Sequence, residues 1–240
     1  MDKYEILNVD ITTIGDTKKL PRKQKPTSFI AKFFQEIAYK IMAILKVLGY
    51  QQPYDPWNES VNKSNQLVSM RLRDKNTEKV FCVGTYHMPC AFRHPALMMI
   101  HCALSAQHVQ KFAKSDPYVY TGDFNIKPDS SMYQLLTEGK VEANNPDLPA
   151  KLEGDNWDIQ VKPLRSAYKI GNGKEPEFTN WAQTKDQEDP FIGTLDYIFI
   201  SDEWRVDQVK SLPSQKDVIG PFPIETEPSD HLLVSASLSL

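Results

Sequence analysis

The chain has 240 residues and a formal net charge of −3, with 40% hydrophobic and 25% charged residues. That composition supports one sizeable core. It excludes a protein that coats polyanions over its whole surface, so any nucleic acid must sit in a local groove, with a metal ion offsetting the phosphates.

Tyr4 to Ile14 reads as a strand, rich in Ile, Val and Thr. The basic link KKLPRKQKPTS follows as a solvated loop. Thr27 or Ser28 caps an expected helix near residues 27–50, with Phe29, Phe33, Ile37, Ile41 and Leu45 at helical spacing and Gly49 at its end. Lys32, Gln35, Glu36, Lys40 and Lys46 suit an amphipathic helix better than a membrane span. QQPYDPWNESVNKSN reads as a loop. Gln66 to Leu72 and Lys79 to Tyr86 alternate as a hairpin around DKNTE. Pro95 opens a helix running to about Lys114. Tyr118 to Gly122 is a strand, followed by the short helix SSMYQLLTEG. Residues 140–180 read as loops. Thr194 to Ser201 is a strand, Trp204 to Ser211 a further candidate, and Leu232 to Leu240 the last strand. With no repeat, linker or low-complexity tract, residues 1–240 read as a single α/β or α+β domain.

Polar groups recur at strand ends: His87, Asp123 with Asn125, Asp196, and the pair Asp230-His231. Asp196 sits among Leu195, Ile198, Phe199 and Ile200, where a carboxylate is costly to desolvate unless paired, so it needs a cation or strong donors. A structural salt bridge would serve as well. An Asp beside a His can orient the imidazole and hold it protonated, and such a cation offsets charge on a phosphoryl group. A turn cap beside a surface histidine fits the same two residues. Gly122 permits close backbone approach before Asp123 and Asn125, which suit a phosphate and its attacking water, or an ordinary Asx-turn. A lone His87 is equally a structural residue. Cys82, Cys90 and Cys102 are odd in number and lack CxxC spacing, against a disulfide scaffold or zinc site and for a reducing compartment. The N-terminal MDKYEILNVD has no signal-peptide pattern, so a cytoplasmic or nuclear protein without a membrane span is expected. No P-loop, GxGxxG, HExxH or GxSxG is present.

GDFNIKPDSSMYQLL, then FTNWA with FIGTLDYIFIS, then LPSQKDVIGPFPIETEPSDHLLVSASL, together resemble the endonuclease/exonuclease/phosphatase superfamily of Mg²⁺-dependent phosphodiesterases, in its deadenylase-like branch. That branch comprises poly(A)-specific exoribonucleases, nocturnin, the Angel proteins and 2′-phosphodiesterases. The resemblance implies an α/β sandwich of two sheets. By it, Asp123 positions or activates the water, Asn125 holds the scissile phosphate, and His231 contacts the phosphate, with Asp230 orienting it or binding metal. Asp196 orients a neighbouring catalytic group such as His87, and His87 binds phosphate. Phe191 sits where deadenylases carry an aromatic that stacks on adenine.

In the family, upstream strands supply an Asn and a QE-motif Glu that binds Mg²⁺, both before a strand resembling KYEILNVDITTI. The expected fold is therefore N-terminally incomplete, with the helix near 27–50 as an insertion. Gln35-Glu36 spells QE, which makes Glu36 a metal-ligand candidate beside Asp230. The implied cofactor is Mg²⁺, with Mn²⁺ as a substitute, and the implied substrate is an RNA 3′ end cut by a 3′-exoribonuclease. The alternatives are an inactive fragment or pseudoenzyme binding RNA or a protein, and a small-nucleotide phosphatase.

Overall fold

The computed structural model describes residues 3–17, 33, 37, 40, 41, 54–152, 156–183 and 188–240. Its principal layer is a six-stranded mixed sheet. The strands are β1 (Tyr4–Thr13), β2 (Gln66–Asp74), β3 (Val80–Tyr86), β4 (Tyr118–Asp123), β5 (Arg165–Ser166) and β8 (Asp196–Ile200), in the order β1-β2-β3-β4-β8-β5. Only β3 and β4 run parallel, joined by a helical crossover. The crossover is α3 (Pro95–Ala113), which packs on one face against Leu67, Cys82, Tyr86, Tyr120 and Phe199. Pro95 opens it because a first-turn residue needs no amide proton.

The opposite face carries Phe81, Ile198 and Ile200, covered by Tyr168, Trp204 and a two-stranded sheet of β9 (Arg205–Val209) and β10 (Ala236–Ser239). The expected sandwich is present, with its second sheet two strands wide among the described residues. A third pair, β6 (Asn180–Ala182) with β7 (Phe191–Gly193), stands beside the tip of β8. Helix α4 (Ser131–Glu138) is capped by Ser130, whose oxygen accepts from the Tyr133 N–H at 3.2 Å, and ends on left-handed Gly139.

Two segments expected as loops contain helices. Asp55 accepts N–H bonds from Trp57 and Asn58 ahead of Pro56, which starts α2 (Pro56–Val61). Ser166 caps α5 (Ala167–Asn172), which Gly173 ends in the left-handed region. Both helices have six residues, too few to show a periodic apolar face, so only their caps mark them in the sequence. The last strand is shorter than expected, because His231 and Leu232 pair with the Thr179–Asn180 segment and not with β9. A four-residue helix, α1 (Ile14–Thr17), follows β1. Of the stretch near 27–50, only positions 33, 37, 40 and 41 are described, as helical and exposed; Glu36 lies outside the described residues.

Gly122 is where backbone geometry is most demanding. Its φ is +146°, and a Cβ there would lie 2.0 Å from the Tyr86 carbonyl oxygen, so the β3–β4 contact beside the site requires glycine. Gly122→Ala is expected to cost at least ~2 kcal/mol and to lower Tm by about 4–8 °C, read by thermal unfolding.

Candidate active site

The antiparallel register of β4 with β8 places Asp123 directly opposite Asp196 at the tip of the sheet. Both side chains are mostly covered, at 16% and 14% exposure. Two carboxylates this close repel each other, and each is held by its own donors. For Asp123, the Asn125 N–H donates to Oδ1 at 2.8 Å, a turn that sets Asn125 at φ 53°. The Asn125 amide then donates to the Met88 carbonyl oxygen at 2.9 Å, which fixes its orientation. For Asp196, the Thr179 hydroxyl donates to Oδ2 at 2.7 Å while accepting the backbone N–H groups of Leu195 (2.9 Å) and Asp196 (3.1 Å).

His231 completes the cluster. Its Nδ1 is 2.8 Å from Asp196 Oδ2, and an ionised carboxylate only accepts, so Nδ1 carries a proton. Its Nε2 faces Asp123 Oδ2 at 3.8 Å. Backbone bonds from the Leu232 N–H to the Thr179 carbonyl (2.7 Å) and from the Trp181 N–H to the Asp230 carbonyl (3.0 Å) lock the 230–232 segment onto β6. The hydrogen bond to Asp196, aided by the charges of Asp196 and Asp123, raises the His231 pKa against the opposing effect of burial. Burial foremost raises that of Asp123, with the Asp196 charge adding and the Asn125 N–H opposing.

The structure brings Asp123, Asn125, Asp196 and His231 together and changes two expected side-chain pairings. Asp196 orients His231, not His87. The carboxylate beside His231 in sequence, Asp230, does not bond to the ring; the Asn180 amide donates to its carbonyl at 3.1 Å and reaches its Oδ2 at 3.4 Å. His87 is 72% exposed at the rim, with Nε2 3.4 Å from Asp123 Oδ2. Phe191, Asn125, Asp230 and His231 line one cavity of about 610 Å³ beside the cluster. Sequence reading gave no role to Thr179, Asn180 or Lys127. The first two lie in the quoted FTNWA element, a visible signal. Lys127, whose Nζ stands 5.4 Å from the centre of the Phe191 ring, had no signal beyond its place after GDFN.

Asp123, Asp196 and His231 each present one ligand atom within 4.8 Å of the others. Two carboxylates suit a hard, hydrated cation such as Mg²⁺ or Mn²⁺, which keeps several of its waters. The donor set therefore fits such an ion, with Asp123 and Asp196 as the residues to hold it.

The raised His231 pKa has a definite sign for stability. The imidazolium–Asp196 pair stabilises the fold fully below the unfolded histidine pKa, and the contribution is lost as pH rises through the folded value. Asp196→Asn is expected to lower the His231 pKa, read by NMR titration of the imidazole, and to remove that acid-side stabilisation. An unmoved titration would show that Asp196 does not hold the ring's proton.

The endonuclease/exonuclease/phosphatase family profile matches residues 22–231. The 2′,5′-phosphodiesterase 12 of Homo sapiens is 28% identical over 182 residues, a stretch covering 71% of this chain and 28% of that protein. The CCR4-Not complex 3′-5′-exoribonuclease subunit Ccr4 of Yarrowia lipolytica is 27% identical over 230 residues, covering 81% of this chain and 31% of that protein. The chain thus spans less than a third of these curated relatives. Among solved structures, ANGEL2, a 2′,3′-cyclic phosphatase, superimposes with a TM-score of 0.63 at 17% identity, over 98% of this chain and 67% of that one. The human nocturnin catalytic domain with bound sulfate anion gives 0.57 at 16% identity, over 99% and 60%. These two likenesses show the fold. No described helix is long and apolar enough to cross a membrane. Because the profile spans every segment that builds the cluster, from β3 through GDFN and the β8 aspartate to His231, the chain belongs to the endonuclease/exonuclease/phosphatase family.

Proposed function

We propose that this chain hydrolyses phosphodiester bonds, with RNA 3′ ends as substrate and Mg²⁺ as cofactor. The observation that carries the reading is the Asp123–His231–Asp196 arrangement: a base with a raised pKa faces an imidazole whose far nitrogen is anchored by a second carboxylate. Sequence similarity to a 2′,5′-phosphodiesterase and to a 3′-5′-exoribonuclease subunit supports it.

Asp123 accepts the proton of the attacking water. A carboxylate whose pKa lies closer to neutrality is the better base, provided it is ionised. His231, protonated on Nδ1 against Asp196, directs Nε2–H at a non-bridging phosphate oxygen, where negative charge grows. Asn125 gives up its weak 3.5 Å contact with Asp123 Oδ2 to hold the phosphate. His87, at the rim, contacts the next phosphate, and Lys127 adds positive charge above Phe191. The terminal base stacks on Phe191. A bound Mg²⁺ supplies charge neutralisation at the phosphate.

The test is hydrolysis of a 5′-labelled oligo(A) with Mg²⁺ or EDTA. Asp123→Ala and His231→Ala are each expected to lower kcat by about 10²–10⁴-fold while the fold persists by circular dichroism. Full activity in either variant would sink the assignment. Phe191→Ala is expected to weaken oligo(A) binding by about 1–3 kcal/mol with a smaller effect on kcat.

A second reading, RNA binding without cleavage, has one observation in its favour. Among the described residues the cluster holds two carboxylates, and Asp230 does not join it. Retained oligo(A) binding with no Mg²⁺-dependent cleavage would select this reading over the first.

A further inference from the structure

The cavity of about 610 Å³ beside the cluster falls in the size range of small-ligand sites. Phe191 lines it together with Lys127, Asp129 and the apolar side chains of Ile126, Met132 and Leu195. With the terminal base of the substrate stacked on Phe191, the reading on which this inference rests, the ring grips without choosing, because every base has a face that can stack. Choice between bases comes from a polar group that meets the edge of the base.

Two acids line this cavity. Asp230 has the Asn180 amide within reach. Asp129 is exposed and has no hydrogen-bond or ion-pair partner among the described residues. Its place is fixed by the backbone. The Ser130 N–H (3.0 Å) and the Ser130 hydroxyl (2.7 Å) both donate to the Lys127 carbonyl, which closes the turn Lys127-Pro128-Asp129-Ser130 directly ahead of α4. Lys127, at the start of that turn, stands with Nζ 5.4 Å from the centre of the Phe191 ring, which brings the turn carrying Asp129 up to the ring.

A carboxylate on the wall of a cavity for an anionic strand repels phosphate, and it costs affinity unless the substrate donates a hydrogen bond to it. An ionised carboxylate only accepts. Adenine, cytosine and guanine each carry an exocyclic amino group, a donor that projects beyond the ring edge. Uracil has none, and its one ring N–H is flanked by two carbonyl oxygens that a carboxylate repels. We propose that Asp129 is a specificity-determining residue: its carboxylate accepts a hydrogen bond from the exocyclic amino group of the 3′-terminal base. The chain therefore takes RNA ending in A, C or G and discriminates against a terminal uridine.

The test uses one oligo(A) body whose last nucleotide is adenosine, inosine or uridine. Adenosine against inosine is the central comparison, because hypoxanthine keeps the purine ring and its stacking and carries a carbonyl oxygen in place of the amino group. Binding is read by fluorescence anisotropy in EDTA, and removal of the last nucleotide as kcat/KM with Mg²⁺. The adenosine end is expected to be favoured over the other two by about tenfold in both measurements. The amide of Asp129→Asn can accept from an amino group or donate to a carbonyl, so this variant should bring the three ends within about threefold of one another, with the fold intact by circular dichroism. An acid serving only the N-terminus of α4 would change Tm on substitution and leave that ratio unmoved. Equal handling of the adenosine and inosine ends overturns the inference and leaves the phosphodiesterase reading in place. So does an adenosine preference that Asp129→Asn leaves intact. A binding preference for adenosine that Asp129→Asn removes, without any hydrolysis, upholds the inference and overturns the proposed cleavage. Failure to bind any of the three oligonucleotides overturns both.

Discussion

The pairing of Asp123 with Asp196 across β4 and β8 is the constraint around which the rest of this structure is arranged. Two acids in adjacent strand tips cost free energy when they are buried together, and they stay ionised only if the surroundings supply donors. Nearly every unusual local feature nearby answers that need. The left-handed turn at Asn125 delivers a backbone N–H to Asp123. The Thr179 hydroxyl relays two backbone N–H groups to Asp196. The 230–232 segment departs from a strand path to bring an imidazole between the two carboxylates. A positive charge placed between two such carboxylates relieves their repulsion, which is what the His231 imidazolium does here.

The supports of the site are mostly backbone, and they come from the small β6–β7 pair. The β6–β7 pair has three residues per strand and would not hold alone. It is fixed because Asn180 and Trp181 pair with the 230–232 segment and Phe178 is fully buried against Phe222 and Leu232. That small cluster is separate from the two larger ones under the main sheet. The position of the imidazole therefore rests on backbone pairing backed by a small apolar cluster that adjoins the site.

Much of this was legible in the sequence, for identifiable reasons. Strands β1 to β4, β8 and the helix from Pro95 could be read because alternation and helical periodicity persist over enough residues to be distinct, and because Pro95, Ser130 and Gly139 punctuate them. Helices α2 and α5 escaped, being short and announced only by Asp55 and Ser166. The cluster members were visible as polar residues at strand ends, and the resemblance grouped them. Which carboxylate serves which histidine was not visible. Asp230 adjoins His231 in sequence, yet the ring belongs to Asp196, thirty-five residues away. Adjacent residues in an extended segment point to opposite sides, so neighbours in sequence are the poorest candidates for side-chain partners there. Thr179 shows the same limit: its importance comes from accepting two backbone N–H groups, which no composition or spacing records.

The segments that build the site are far apart along the chain and leave the ribosome in a fixed order. Asp123 and Asp196 can meet as soon as β4 and β8 are both made, but the imidazole lies thirty-five residues later. Without that segment the two facing acids would lack the imidazole between them, and their mutual repulsion would go unrelieved on that side. The 230–232 segment, last of the three along the chain, is therefore the piece that completes the site, by setting its imidazole between the two carboxylates.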